Sequence, residues 1–241
     1  MQKGLFETEQ EMYQSIADEM ETLLRNKKSA LICIAAGNTS LGLFQELILR
    51  CRAGRISFSD SWFVAMDEWM GMNASVAGSC SDFLNRNFLS QVDFRPERIR
   101  LVDGMAGNPE QECDEIREFI EKHGGIDYLV LGCGMNGHLA LNEPGVSLDS
   151  SVHTTRLDPI TQKVGQKYFS GRTADLHGGI TIGIREIRGA KRTVLALNGE
   201  GKQEILKKIM DSPVTMEIPA TIIKDLPNGC IVYDRKAGGL L

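Results

Sequence analysis

Short, uninterrupted apolar runs constrain this chain more than any other feature. Ala30–Ala35 (ALICIA), Trp62–Met66 (WFVAM), Tyr128–Leu131 (YLVL) and Arg192–Leu197 (RTVLAL) have few polar residues to turn toward water. A strand of this kind must be buried on both faces, as in a parallel sheet covered by helices. Segments at helical spacing lie between the runs. Tyr13, Ile16, Ala17, Met20, Leu23 and Leu24 share one helical face before residue 28, and Leu41, Phe44, Leu47 and Ile48 do so after the first run. The pattern predicts further helices around Ser79–Leu89, over Pro109–Lys122, near 159–169 and over Lys202–Met210. Ile99–Val102, Ile180–Ile184 and Cys230–Tyr233 read as additional short strands. The expected fold class is α/β, a single doubly wound, mainly parallel sheet with helices on both faces. No linker composition and no fixed-period repeat divides the chain, so 1–241 reads as one domain.

At 241 residues the chain can bury a sizeable core. Its 27 Lys and Arg against 32 Asp and Glu leave a net charge of −5, scattered along the chain. That balance lacks the basic footprint of a nucleic-acid binder. No apolar run approaches the ~18 residues that cross a bilayer, and the opening MQKGLFETEQEMYQ is too acidic and polar for a signal peptide. The Asn-x-Ser triplets at Asn38 and Asn73 then read as chance matches. Cys33, Cys51, Cys80, Cys113, Cys133 and Cys230 show no C-x-x-C spacing, which removes a zinc ribbon and a thioredoxin-type dithiol. The expectation is a cytoplasmic protein that engages neither nucleic acid nor membrane.

In doubly wound folds, ligands bind beyond the carboxyl ends of the strands. Loops 36–40, 67–72 and 132–145 meet that description. Gly132–Gly137 spells G-x-G-x-x-G, but Asn142 and Pro144 follow where a dinucleotide site needs a helix. No acidic residue ends a next strand about 20 positions on. Gly199-Glu200-Gly201-Lys202 fails as a P-loop, with Ala196 at the first glycine and Gln203 at the Ser/Thr position. No G-x-S-x-G elbow is present.

Three groups of residues remain. Gly37-Asn38-Thr39-Ser40, between a strand and a helix, offers free backbone N–H groups and two hydroxyls to a phosphate; it also fits a plain helix cap. Lys202 could add a cation to the same phosphate, or simply face solvent. Asp67, followed by Glu68, ends an apolar strand. A carboxylate half sunk in a cleft there would have its pKa raised from about 3.9 toward the range of a general base, although a turn-capping Asp has the same pattern. His138 follows another apolar strand and can exchange protons near neutral pH, while Glu143 could fold back to orient its ring. A loop histidine and an exposed carboxylate are the bland counterparts. His138 and Glu143 lack an obvious third partner for a metal.

At these loops the chain resembles the glucosamine-6-phosphate deaminase family, related to 6-phosphogluconolactonase. The resemblance is carried by AAGNTS (35–40), VAMDEW (64–69) and GMNGHLALNEPG (134–145), with shorter echoes in SLDSS (147–151), ITIGI (180–184) and GEGK (199–202). It implies a modified Rossmann-like domain that needs no metal or organic cofactor. The implied reaction converts a 2-amino-2-deoxy-hexose 6-phosphate to a ketose 6-phosphate and ammonia. It implies Asp67 as the base moving a proton between C2 and C1, His138 as the residue assisting ring opening, and Glu143 as its polarising partner. Gly37, Asn38, Thr39, Ser40 and Lys202 would hold the 6-phosphate, and Lys167 lies where the family tends to place a phosphate-binding arginine. The partner is thus a small amino-sugar phosphate. A homo-oligomer stays open, since family members range from monomers to hexamers.

One departure concerns chemistry. The deaminases usually have Asp-Gly-His, whereas Asn136-Gly137-His138 stands here, placing Asn136 within the catalytic group. A neutral amide can only orient the imidazole. The Asn-Gly-His form, with GEGKQ, resembles the galactosamine-6-phosphate deaminase/isomerase branch and implies conversion of galactosamine 6-phosphate to tagatose 6-phosphate. Glucosamine 6-phosphate is the next substrate. Two other functions are compatible with the sequence: a lactone hydrolase in which His138 activates water, and a sugar-phosphate sensor weakened by Asn136. His153 and Thr155 stand where allosterically regulated members carry basic residues. An N-acetylated amino-sugar phosphate is therefore expected to leave the deamination rate unchanged, which a steady-state assay with and without that compound checks.

Overall fold

The run after Ala30 forms a strand whose four residues, Leu31–Ile34, are all inaccessible to solvent. It lies in the interior of the sheet in a computed structural model that describes residues 2–241. In chain order the elements begin β1 (Gln2–Phe6), α1 (Glu9–Asn26), β2 (Leu31–Ile34), α2 (Asn38–Arg52), β3 (Trp62–Val64), β4 (Asp67–Trp69) and α3 (Cys80–Asn87). They continue with β5 (Ile99–Arg100), α4 (Pro109–Lys122), β6 (Tyr128–Leu131), β7 (His153–Arg156) and α5 (Pro159–Gly165). The last are β8 (Gly178–Thr181), α6 (Ile184–Gly189), β9 (Thr193–Leu197), α7 (Gln203–Asp211) and β10 (Gly229–Asp234).

Seven strands form a parallel sheet in the order β1-β10-β9-β6-β2-β3-β5, with helices on both faces. From β2 the chain builds outward through β3 and β5, then returns to the other side of β2 for β6, β9 and β10. The strand order therefore reverses at the β2–β6 pair, where Ile34 sits beside Val130. The loops leaving these two strands diverge around a crevice, the usual ligand position in such sheets. The α/β expectation holds.

Several elements differ from expectation. Ile180–Ile184 was expected as one more strand of the parallel sheet, but the strand is Gly178–Thr181 and pairs antiparallel with both β4 and β7 in a separate three-stranded sheet. Residues from Ile184 onward turn into α6. Asp67 was expected in a loop, yet Asp67–Trp69 is itself a strand, with Asp67 opposite Thr181. The helix near 159–169 ends at Gly165 and tightens into a 3₁₀ turn over Gln166–Phe169. β1 pairs with β10 at the sheet edge, where Gln2, Lys3 and Leu5 are exposed, so no apolar run announces it.

Helix ends follow local chemistry. Thr8 caps α1 by accepting from the Glu11 N–H (3.2 Å), and Asn108 caps α4 by accepting from the Gln111 N–H (3.3 Å). The core beside β3 is aromatic: Phe88 stacks on Phe44 (centroids 4.8 Å apart) and meets Phe58 edge-on at 5.6 Å. Phe94 in turn stacks on Phe58 at 4.8 Å. All four rings are buried, and Phe88 is fully so. Phe88→Ala would leave a void among rings that cannot collapse freely, with an expected loss of about 3–5 kcal/mol in denaturant unfolding.

Candidate active site

The crevice holds a cavity of about 310 Å³ lined by the loop after β2, the start of β4, the loop after β6, α5 with its 3₁₀ turn, and Lys202. Asp67, His138, Gly37, Asn38, Thr39, Ser40 and Lys202 all line it. Asn136 and Glu143 stand behind His138, each through a polar contact. The three separate loops of the sequence thus converge on one space of ordinary small-ligand size.

At one side the cavity is built for an anion. α2 begins with Gly37 as its N-cap, in extended backbone, with no side chain capping the first turn. The hydroxyls of Thr39 and Ser40 are therefore not used as caps, and the helix N-terminal amides face the cavity side. Lys202 precedes α7, with its ammonium donating to the Cys133 carbonyl (2.6 Å). Lys167, on the 3₁₀ turn, lines the same space. Burial pushes the Lys202 ammonium below the usual lysine range; burial and then the Lys202 charge push Lys167 down too. Two ammonium groups that repel each other beside an uncapped helix start suit a phosphate.

Asp67 is 7% exposed. Burial raises its carboxyl to about 7, the Cys80 thiol beside it opposes that rise, and the Glu68 charge adds to it. A carboxyl with this pKa can take and return a proton near neutral pH. Glu68 is wholly buried and points away into backbone: its carboxylate accepts from the N–H groups of Trp69 (2.9 Å), Cys80 (2.9 Å) and Ser81 (2.8 Å).

The third group is a chain of contacts behind His138. Asn136 Nδ2 donates to Glu143 Oε2 (2.7 Å), so its Oδ1 is the atom facing the imidazole. That oxygen accepts from both the His138 backbone N–H (3.2 Å) and Nδ1–H (2.8 Å). An amide oxygen cannot donate, so the neutral ring carries its proton on Nδ1 and Nε2 is the acceptor nitrogen. Glu143 Oε2 lies 3.5 Å from Nδ1, and Thr161 Oγ1 lies 3.1 Å from it. Burial pushes the Glu143 carboxyl up, but contacts from His138, Thr161 and Asn136 outweigh it and hold the group below its usual range. Two glycines permit this packing. A Cβ on Gly134 would fall 2.2 Å from the His138 ring, and Gly137 turns the loop at φ +89.

Thr161, Cys80 and Tyr168 also line the cavity and carry no signal in the sequence motifs. Each arrives through tertiary packing. Among the described residues no group of three or more His, Cys, Asp or Glu side chains is arranged to hold a metal, and no helix is long and apolar enough to cross a membrane.

A family model described as glucosamine-6-phosphate isomerases/6-phosphogluconolactonase matches residues 6–231. The chain belongs to that family. It is 31% identical over 232 residues to a glucosamine-6-phosphate deaminase of Thermoanaerobacter pseudethanolicus, covering 96% of this chain and 92% of the relative. A solved structure described as a monomeric glucosamine-6-phosphate deaminase superposes with a TM-score of 0.95 at 27% identity over the whole of both chains. The 6-phosphogluconolactonase of Thermotoga maritima shares the fold, with a TM-score of 0.76 at 19% identity over 97% of this chain and 98% of that one.

The ionisation of Asp67 has a consequence for this family member's stability. Its carboxyl titrates near 7 when folded and near 3.8 when unfolded. Below both values the group makes no difference; as pH rises through 4 to 7 the unfolded chain loses its proton first, which favours unfolding. Above 7 the cost is constant, roughly 4 kcal/mol. Asp67→Asn should therefore unfold at higher denaturant than the parent at pH 8, with the gain shrinking toward pH 5.

Proposed function

We propose that the chain is an amino-sugar-phosphate deaminase/isomerase that converts galactosamine 6-phosphate to tagatose 6-phosphate and ammonia, with glucosamine 6-phosphate to fructose 6-phosphate as its second reaction. The observation that carries the reading is the sharing of one cavity by a base near pKa 7, an imidazole with Nε2 as acceptor, and a two-lysine anion pocket. Residues 1–241 act as one catalytic domain. All six cysteines are free, as suits a reducing compartment, and the reaction belongs in the cytoplasm.

The 6-phosphate binds at Gly37–Ser40 with Lys202 and Lys167, which fixes the far end of the sugar and brings C1 and C2 to Asp67. His138 Nε2 takes the proton of the C1 hydroxyl and delivers it to the ring oxygen as the C1–O5 bond breaks, leaving an aldehyde at C1 and the imidazole neutral again. Asp67 removes the proton from C2, forming an enolamine, and returns it to C1. The resulting C2 imine takes up water and releases ammonia, leaving the ketone. One water enters and one ammonia leaves, and both protein groups end as they began.

Asn136 supports turnover rather than a disabled sensor, because it accepts from His138 and donates to Glu143, keeping the imidazole linked to a carboxylate. The galacto preference rests on the Asn136-Gly137-His138 form and on Gly199–Gln203. Ammonia release from the two sugar phosphates, measured separately, tests both levels. Faster release from the galacto sugar is expected; release from the gluco sugar alone would overturn the epimer preference and keep the reaction. Asp67→Asn is expected to abolish release from either sugar. A variant that kept full release would remove Asp67 as base, and one that still opened a 6-phosphogluconolactone would favour a lactone hydrolase.

A further inference from the structure

Tyr168 lines the cavity one residue after Lys167, and the reaction above gives it no part. Its ring is held from several sides. It meets Phe83 of α3 edge-on, with centroids 5.7 Å apart, and Phe83 is itself buried. The Tyr168 carbonyl packs against Gly78, where a Cβ would come within 2.7 Å of it. The Lys167 ammonium stands over the ring, 4.9 Å from its centroid. Packing of this kind leaves an aromatic side chain little freedom, so its hydroxyl has a defined place.

That place is the start of α2. A Cβ on Gly37, the N-cap of the helix, would lie 3.5 Å from the Tyr168 hydroxyl oxygen. The same helix end has no side-chain cap, and Gly37, Lys167, Tyr168 and Lys202 all line one cavity. The Lys202 ammonium already donates to the Cys133 carbonyl, whereas among the described residues the Tyr168 hydroxyl donates to no protein acceptor. Burial pushes the phenol up to about 12, so it keeps its proton and can give a hydrogen bond.

A phosphate ester presents strong acceptor oxygens on several sides, and the amides of one helix end reach only one of them. A third cation in this pocket would add to the repulsion between Lys167 and Lys202. A neutral hydroxyl supplies a donor without adding charge. We propose that Tyr168 is a further substrate-binding residue: its hydroxyl donates a hydrogen bond to the 6-phosphate where that group meets the first turn of α2. This rests on the anion pocket being the place of the 6-phosphate, and it adds a donor that the sequence motifs do not announce.

Tyr168→Phe removes one oxygen and keeps the ring, with its contacts to Phe83 and Lys167. Two measurements compare it with the parent. One is a phosphorus-31 NMR titration of inorganic phosphate, a probe that carries no sugar. The other is steady-state ammonia release from galactosamine 6-phosphate and from glucosamine 6-phosphate. A hydrogen bond to a charged group, at the lower end of its usual range, corresponds to about 10-fold in affinity. Inorganic phosphate should therefore bind the variant about 10-fold more weakly. The KM for the sugar phosphate should rise by about the same factor, with kcat changed far less, because the contact is made in the ground state and the transition state alike. Thermal unfolding reports whether the fold is retained.

Inorganic phosphate bound equally well by Tyr168→Phe and the parent overturns the proposal and leaves Tyr168 a packing residue. A raised KM with unchanged phosphate affinity overturns it as well, since the hydroxyl then serves the sugar rather than the phosphate. If the parent itself binds neither inorganic phosphate nor the sugar phosphates, the anion pocket and the proposal fall together. If the parent releases no ammonia yet binds phosphate more tightly than Tyr168→Phe, the assigned reaction falls and the Tyr168 contact stands.

Discussion

The reversal of strand order between β2 and β6 is the constraint on which the rest of the molecule depends. β2 is apolar along its whole length and must be covered by strands at both edges and helices on both faces. Connections between parallel strands keep one hand, so the loops that leave β2 and β6 run to opposite faces and open a crevice. The Gly37–Ser40 segment hangs from one edge of that crevice and the His138 loop from the other. β9 brings Lys202 in beside them, and β3 leads directly into Asp67. Sheet topology thus places four separate chain segments around a single cavity.

Within that cavity, desolvation acts on both signs of charge. It raises Asp67 and lowers Lys167 and Lys202, so each group is less fully charged than in water. The three-stranded antiparallel sheet makes this separation durable. β8 pairs with β4 and holds Asp67 opposite Thr181, while Glu68 anchors the same strand to the first turn of α3. An isolated three-residue strand would not hold a carboxylate at a fixed place. Bound on one side to a ladder and on the other to helix amides, it can.

How much of this was legible in the sequence follows from how local each determinant is. β2, β6, β9 and α4 are encoded in contiguous apolar runs or in a single amphipathic face, and the structure places them where the pattern does. Gly37–Ser40, Asp67 and His138 were visible because each follows such a run. β4 (Asp-Glu-Trp) and β7 (His-Thr-Thr-Arg) carry no apolar alternation, and their strand state comes from pairing with β8, far away in the chain. Ile180–Ile184 has the composition of a sheet-core strand, but composition does not name its partners. Thr161 and Cys80 reach the cavity only through α5 and the start of α3, and no spacing within the sequence reports such contacts.

Asn136 stands where the resemblance leads one to expect Asp, and its contacts show what an amide does there. Its side chain stands between an imidazole that donates and a carboxylate that accepts. An ionised Asp in the same place would bring two carboxylates to about 2.7 Å, and one of them would have to take up a proton. The amide removes that conflict because it has an acceptor at one end and a donor at the other. Glu143 then stays ionised below its usual range, supported further by the Asp158 N–H at 3.3 Å. Its influence reaches the ring partly through a 3.5 Å electrostatic contact and partly through the polarised amide. The change from Asp to Asn exchanges a direct charge beside His138 for an oriented dipole backed by a charge. The tautomer with Nε2 as acceptor is kept, which is the form of the neutral ring that can take up a proton.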